Sequence, residues 1–346
     1  PVRLPLKEPY TIAYETTGVA ENVLVRIDAA DGRIGWGNAA PDPAVTGETA
    51  EGTARLLTEV FPSLLVGEDA FRINYLNHRL TEVAPDAPAA RAAVNIALFD
   101  LLGKRAALSL FRLLGAYRDR ILTSVTIGTC PTEEAVRRAR EYVRQGFQAL
   151  KVKGGRDWRA DVERVRAVRK AVGEGVALRL DANQGYEVAE ALRLIKALEK
   201  ARLDFVEQPV KAEHLGSLKE VTVKSSIPIM ADETALSTKD SFRVAAHYQA
   251  DHINIKLMKA GGITNAVKVN AVAEAGDLET MVGCMDESVL SIAAGAHFAV
   301  AFRNVHYADL DGHLDLTEDP ARGGATVRDG HIIPADAPGL GVEVEW

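Results

Sequence analysis

Ala149-Leu-Lys-Val-Lys153, an amphipathic stretch over residues 157–172, and Ala177-Leu-Arg-Leu-Asp181 make one β-rich run, one helix and a second β-rich run. The unit recurs on both sides. Ser124-Val-Thr126 precedes it, and Asp204-Phe-Val-Glu207, Pro228-Ile-Met-Ala-Asp232, His252-Ile-Asn-Ile-Lys256, Thr280-Met-Val-Gly-Cys284 and Val305-His-Tyr-Ala-Asp309 follow. Eight runs thus end at intervals of 24 to 28 residues. A (β/α)8 barrel takes about 250 residues, roughly 30 for each unit, so the spacing predicts a parallel barrel. An open doubly wound sheet is the rival, but eight regular units without a glycine-rich nucleotide turn weigh against it. Gly35-Trp-Gly37 lacks the strand–GxGxxG–helix context of a phosphate loop.

Upstream of the barrel, Asn22-Val-Leu-Val-Arg-Ile-Asp28 alternates apolar and polar residues, Asp31-Gly32 supplies a turn, and Arg33-Ile-Gly-Trp-Gly37 continues outward. That is a hairpin pattern. Residues 47–114 carry helical patterning, and strands followed by helices predict an α+β unit. The expected division is residues 1–117 for this capping unit, 118–322 for the barrel, and 323–346 for a strand-like tail returning to the first unit.

At 346 residues and 47% hydrophobic content the chain can bury a core unaided, and its two cysteines exclude a disulfide scaffold. Forty-one basic against 48 acidic side chains leave a net charge of −7, which argues against a nucleic-acid partner. Residues 289–302 are the most apolar stretch, but Ser291 and His297 interrupt it and it is too short to span a bilayer. A buried helix is expected there. Pro1-Val-Arg-Leu-Pro-Leu-Lys7 has no export pattern, so the expected compartment is the cytoplasm, with Cys130 and Cys284 reduced and no membrane partner.

Barrel enzymes place their chemistry at the C-terminal ends of the strands. Here those ends carry Lys151 and Lys153, Asp181, Glu207, Asp232, Lys256, and then Asp309 and Asp311. Asp181, Glu207 and Asp232 end consecutive runs, so their carboxylates converge at the rim. Three such groups repel one another unless a hard cation lies between them. Oxygen-only ligation favours Mg2+, with Mn2+ as a substitute, over zinc. None of the eight histidines makes an HxH or HExxH pair. Lys151 and Lys153 are two apart on a strand and face one side. Two ammonium groups beside a divalent cation are expected to pull at least one pKa down from about 10.4, where the amine becomes a base. Lys256 ends the sixth run, halfway round the ring from Lys153. One base on each side of a metal-bound carbonyl carbon is therefore expected, the geometry needed to remove a proton from either face.

Taken in order, Lys151-Val-Lys153, Asp181-Ala-Asn183, Glu207-Gln-Pro209, Asp232-Glu233 and Ile255-Lys-Leu-Met-Lys-Ala-Gly-Gly262 resemble the muconate-lactonising subgroup of the enolase superfamily. Sites pairing a lysine base with Mg2+ are a known pattern of that superfamily. The resemblance covers nearly the whole chain. It implies an α/β fold, a modified (β/α)8 TIM-type barrel with an α+β N-terminal capping domain, and a homo-oligomer. It also implies Asp181, Glu207 and Asp232 as metal ligands, Lys153 and Lys256 as the catalytic pair, and Lys151 beside the developing charge. Thr126 would hydrogen-bond the substrate. Asp309-Leu-Asp311 resembles the DxD motif of dipeptide epimerases, which binds the substrate's N-terminal ammonium. The implied reaction is 1,1-proton transfer at the α-carbon of a dipeptide's C-terminal residue, through an enediolate.

Residues 10–19 correspond by position to the capping loop that selects substrates in this superfamily. Where epimerases acting on Ala-Glu tend to show an arginine, this chain has Glu15, and residues 10–19 contain no lysine or arginine. Asp286 adds an acid beyond the seventh run, and Cys284 ends that run, in reach of substrate or as a small core thiol. An acidic lid disfavours a glutamyl side chain by about 1–3 kcal/mol, so a basic or hydrophobic residue is the expected target. Three alternatives stand beside this reading. Cycloisomerisation, o-succinylbenzoate synthesis or N-acylamino-acid racemisation would leave the paired Asp309 and Asp311 without a role. A Schiff-base aldolase on Lys153 or Lys256 would leave the three carboxylates unused. A non-catalytic, metal-dependent dipeptide-binding protein would bind without exchanging the α-proton.

Overall fold

Strands β1 (Val2–Thr11), β2 (Thr16–Asp28) and β3 (Ile34–Ala39) pair in order as an antiparallel meander, in a computed structural model that describes residues 1–345. Trp346, the last residue of the expected tail, lies outside the described residues. The Asp31-Gly32 turn forms as its sequence predicts: Arg33 N donates to Asp31 Oδ1 at 3.1 Å and Gly32 takes a positive φ. The sheet packs on the helix Pro88–Ala106, an alanine-rich face that sits close against β3. Glu48 caps that helix by accepting N–H bonds from Ala89 at 2.6 Å and Ala90 at 3.0 Å. Pairing of β1 with β2 shifts register between Pro5 and Tyr10, so the residues between them bulge off the ladder.

The barrel strands are those the sequence spacing predicts. After a short β4 (Ile121–Leu122) come β5 (Val125–Ile127), β6 (Ala149–Lys153), β7 (Ala177–Asp181), β8 (Val206–Glu207), β9 (Ile229–Ala231), β10 (His252–Lys256), β11 (Glu279–Gly283) and β12 (Val305–Asp309). They pair in chain order, all parallel. A parallel bridge from Thr123 to Ala308, with Ser124 N donating to Ala308 O at 3.0 Å, closes the ring. Between strands, several helices have side-chain caps where they begin. Asp157, for instance, accepts from Arg159 N at 2.9 Å and starts the helix Trp158–Val172, which stops at Gly173. The expected apolar helix spans Val289–Ala301 and is buried along its whole length.

Beyond the barrel lie β13 (Ala321–Gly323), β14 (Ala325–Arg328), β15 (His331–Pro334) and β16 (Val342–Val344). β15 pairs with both β14 and β4, where the chain approaches the barrel. Residues further on reach the capping helix and its successor: Leu340 N donates to Asp100 Oδ1 at 2.9 Å and Leu110 N to Gly339 O at 2.8 Å. At the opposite edge, β1 is zipped to the segment after β12. Leu6 bridges Leu316, Lys7 N donates to Asp315 O at 2.8 Å, and Thr317 N donates to Pro5 O at 2.9 Å, over a buried cluster of Leu4, Leu6, Ala20 and Leu316. Among the described residues no helix is long and apolar enough to cross a membrane.

Candidate active site at the barrel mouth

Parallel register sets the first row of the site. Lys153 is the strand partner of Asp181, and Asp181 of Glu207; Asp232 follows directly after β9. The three carboxylates are almost wholly buried, at 0%, 0% and 1% exposure, so each needs a counter-charge. Lys153 Nζ lies 2.6 Å from Asp181 Oδ2 and 3.0 Å from Asn183 Oδ1. Lys256 Nζ lies 2.8 Å from Asp232 Oδ2, while Lys259 pairs with Asp232 Oδ1 and donates to Asn254 O at 3.0 Å. Lys151 pairs with Asp309 and stands 3.7 Å from both Asp181 and Glu207. Asn254 Nδ2 donates to Glu207 Oε1 at 2.6 Å, and Glu207 Oε2 is buried without a hydrogen-bond partner.

Below this layer a buried arginine supports it. Arg179 Nη1 donates to Ser124 Oγ at 3.0 Å and to Ala308 O at 2.8 Å, and its guanidinium lies 5.5 and 5.2 Å from the Phe205 and Tyr307 ring centres. Ser124 Oγ donates in turn to Asp309 Oδ1 at 2.5 Å. The column Arg179–Ser124–Asp309–Lys151 therefore fixes one lysine from within the barrel. Replacing Arg179 by methionine should cost about 3 kcal/mol, since breaking a buried charged network leaves groups unpaired. Urea unfolding measures it, and an unchanged midpoint would remove Arg179 from the column.

Acids dominate the surroundings of two of the lysines. Burial alone would lower Lys151, but Asp309, Glu207 and Asp181 hold its ammonium well above the usual range. Asp232 and Glu207 do the same to Lys256 against its burial. Neither is drawn towards neutrality by the protein, because carboxylates outweigh ammonium groups around each. Lys259 goes the other way, lowered by burial and by Lys256. Burial and the Asp181 charge push Glu207 up to about 8. Burial is the larger cause, and Asp181 and Asp232 add to it against Lys151 and Lys256. The all-oxygen donor set and the unpartnered Glu207 oxygen fit Mg2+. Among the described residues no three acids already close on one point, since ammonium groups stand between them.

A cavity of about 110 Å3 opens above this layer, reached by Lys151, Lys153 and Lys256. Thr126, Cys284, Asp286, Asp309 and Asp311 line it too, and the capping unit contributes Tyr10, Tyr14, Glu15 and Asp42. Glu15 is exposed at the lip; Asp286 is partly buried, and burial raises it to about 6. The two aspartates of the DxD motif separate in role. Asp309 has one oxygen on Ser124 and the other on Lys151. Asp311 accepts from Thr126 N at 2.6 Å through Oδ2, and its Oδ1 has only the Cys284 Sγ at 3.9 Å. Burial and the charge of Asp309 push Asp311 up to about 7. A buried carboxylate in that position gains from an incoming cation.

Sequence reasoning missed several contributors. Asn183, Glu233 and Lys259 sat inside the quoted motifs, overshadowed by their neighbours. Asn254 was readable, because period two places it on the Lys256 face of the strand. Tyr14 lies within the capping loop that the resemblance implied, whereas Asp42 reaches the cavity from a part of the capping unit where no local pattern announces it.

Residues 1–115 match the family described as mandelate racemase/muconate lactonizing enzyme, N-terminal domain, and residues 134–346 match enolase C-terminal domain-like. The chain belongs to the enolase superfamily. Within that superfamily it is 41% identical to the L-Ala-D/L-Glu epimerase of Bacillus subtilis, covering 99% of this chain and 94% of the relative. It is 40% identical to the L-Lys-D/L-Arg epimerase of Desulforapulum autotrophicum, covering 98% and 96%. The solved dipeptide epimerase of Enterococcus faecalis, complexed with Mg and L-Leu-L-Tyr, superposes with a TM-score of 0.96 at 38% identity, covering 99% and 97%. Those three relatives carry names for acidic, basic and apolar dipeptides at nearly equal identity. Identity therefore does not choose among substrates; the side chains of the cavity must.

Proposed function

We propose that this protein is a Mg2+-dependent dipeptide epimerase that moves the α-proton of the substrate's C-terminal residue between its two faces. One observation carries the reading: Lys153 and Lys256, ending the second and sixth of eight strands, face one cavity from opposite sides above three buried carboxylates. Asp181, Glu207 and Asp232 would hold the metal, with Mn2+ as a competent substitute. Bound there, the ion supplies Lewis-acid stabilisation of negative charge on the substrate. Lys151, fixed by Asp309, adds a positive charge where the enediolate develops. Lys153 Nζ takes or returns the proton on one face and Lys256 Nζ on the other. Asp311 receives the N-terminal ammonium, with Thr126 and Cys284 beside it. An N-acylated amino acid has no such ammonium and would leave Asp311 unmet.

Selectivity follows from charge. Glu15, Asp42 and Asp286 face the cavity, while the lysines there are engaged by carboxylates. A glutamyl side chain is repelled, and a basic or hydrophobic residue is accepted at the epimerised position. We take residues 1–117, 118–322 and 323–346 as cap, barrel and tail of a cytoplasmic homo-oligomer with no nucleic-acid or membrane partner. Light scattering after size exclusion reads the assembly. For the activity, a dipeptide library incubated with protein and Mg2+ in D2O reads α-deuteration by mass spectrometry. Deuteration of basic or hydrophobic C-terminal residues is expected. Ala-Glu ranking first in kcat/KM would overturn the selectivity, and binding without deuteration would make the protein a dipeptide receptor.

A further inference from the structure

The barrel mouth has a side chamber. A cavity of about 200 Å3 lies between the bulge of β1 and the helix Thr132–Arg144, sharing Tyr10, Thr126 and Asp315 with the main cavity. Its outer wall is Lys7-Glu8-Pro9, the residues that the register shift lifts off the ladder. Tyr10 and Tyr142 supply aromatic faces. Gly128 lets the first of these in: a Cβ there would stand 3.1 Å from the Tyr10 ring and 3.2 Å from Thr11 O.

Most charges around the chamber are already matched. Arg138 lies 2.6 Å from Glu134 and 2.5 Å from Glu8, Arg137 lies 2.7 Å from Glu134, and Glu141 lies 3.0 Å from Arg144. Lys7 Nζ donates to Leu314 O at 2.6 Å and has no carboxylate in ion-pair range among the described residues. Asp315 is the unmatched acid. Its backbone is fixed by the β1 zipper, yet its carboxylate makes no hydrogen bond or ion pair among the described residues. Burial raises it, opposed by the charges of Lys7 and Arg138 and helped by Glu8.

We propose that this chamber takes the side chain of the dipeptide's N-terminal residue, and that Asp315 selects lysine or arginine there. The proposal rests on the epimerase reading, in which Asp311 receives the N-terminal ammonium. Asp311 is bonded to Thr126 N, and Thr126 lines both cavities, so the first residue's side chain starts at the chamber's doorway. The methylene stem of a basic side chain lies along Tyr10 and Tyr142 and delivers its charge to Asp315.

The test holds the C-terminal residue constant and varies the first: Gly-Ala, Leu-Ala, Lys-Ala, Arg-Ala and Nε-acetyl-Lys-Ala, each read by α-deuteration in D2O. Lys-Ala and Arg-Ala should exceed Gly-Ala and the acetylated probe by about tenfold in kcat/KM. In Asp315→Asn the ratio of Lys-Ala to Nε-acetyl-Lys-Ala should fall to near one, chiefly through KM. Equal ratios in the unmodified protein and the variant would overturn the proposal. So would an effect of Asp315→Asn on the ranking of C-terminal rather than N-terminal residues. Absence of deuteration with every dipeptide would instead count against the epimerase reading itself.

Discussion

Lys153→Ala and Lys256→Ala should each lower epimerisation by about 10²- to 10⁴-fold in both directions, the range for loss of a positioned acid–base group. The loss is two-way because each direction uses both lysines, one to take the proton and one to return it. Exchange should separate them. A variant lacking one lysine still has a base on the other face, so a single epimer of the dipeptide should continue to take up deuterium without inverting. The two variants should deuterate opposite epimers. Mass spectrometry with chiral separation reads both quantities. If either variant kept near-normal turnover, or if both deuterated the same epimer, the opposed-base arrangement would be lost.

Asp232→Asn should weaken Mg2+ binding by about 100-fold or more, measured by calorimetric titration. The change removes one of three anionic oxygens from a hard-cation set, and even partners beyond the ligands are worth 10- to 100-fold. Lys256 and Lys259 both lean on this carboxylate, and despite burial they hold it well below the usual range. The substitution should therefore also destabilise the fold, since two buried ammonium groups lose their counter-charge. Thermal unfolding without metal separates the two effects. An unchanged Mg2+ affinity would take Asp232 out of the metal set.

The barrel and the main row of the site were legible because both follow from periodicity. Strand spacing gave the ring, and residues at consecutive strand ends fall into register, as Lys153, Asp181 and Glu207 do. The division of labour between Asp309 and Asp311 was not legible. It depends on Ser124 and Arg179, which approach from other strands and carry no local signal of their target. Part of the lysine environment was hidden for a related reason. Adjacent ammonium groups are visible in Lys151-Val-Lys153, but the acid paired with Lys151, Asp309, is 158 residues away in sequence. The wall supplied by the capping unit could be placed only as a loop, since what it faces depends on how two separately readable pieces dock.

The zipper between β1 and the segment after β12 bears on how a dipeptide gets in and out. Swinging the whole cap away would break the Lys7 and Thr317 backbone hydrogen bonds and expose Leu4 and Leu6 to water. Bending only the tip between β1 and β2 costs far less. That tip is held by Ile12 N to Glu15 O at 2.9 Å and by Arg156 Nε to Ala13 O at 3.0 Å. A small flap carrying Tyr14 and Glu15 is therefore the expected route for a dipeptide, with the zipper as its fixed edge. Such a flap would leave the lysines and carboxylates beneath it where they are.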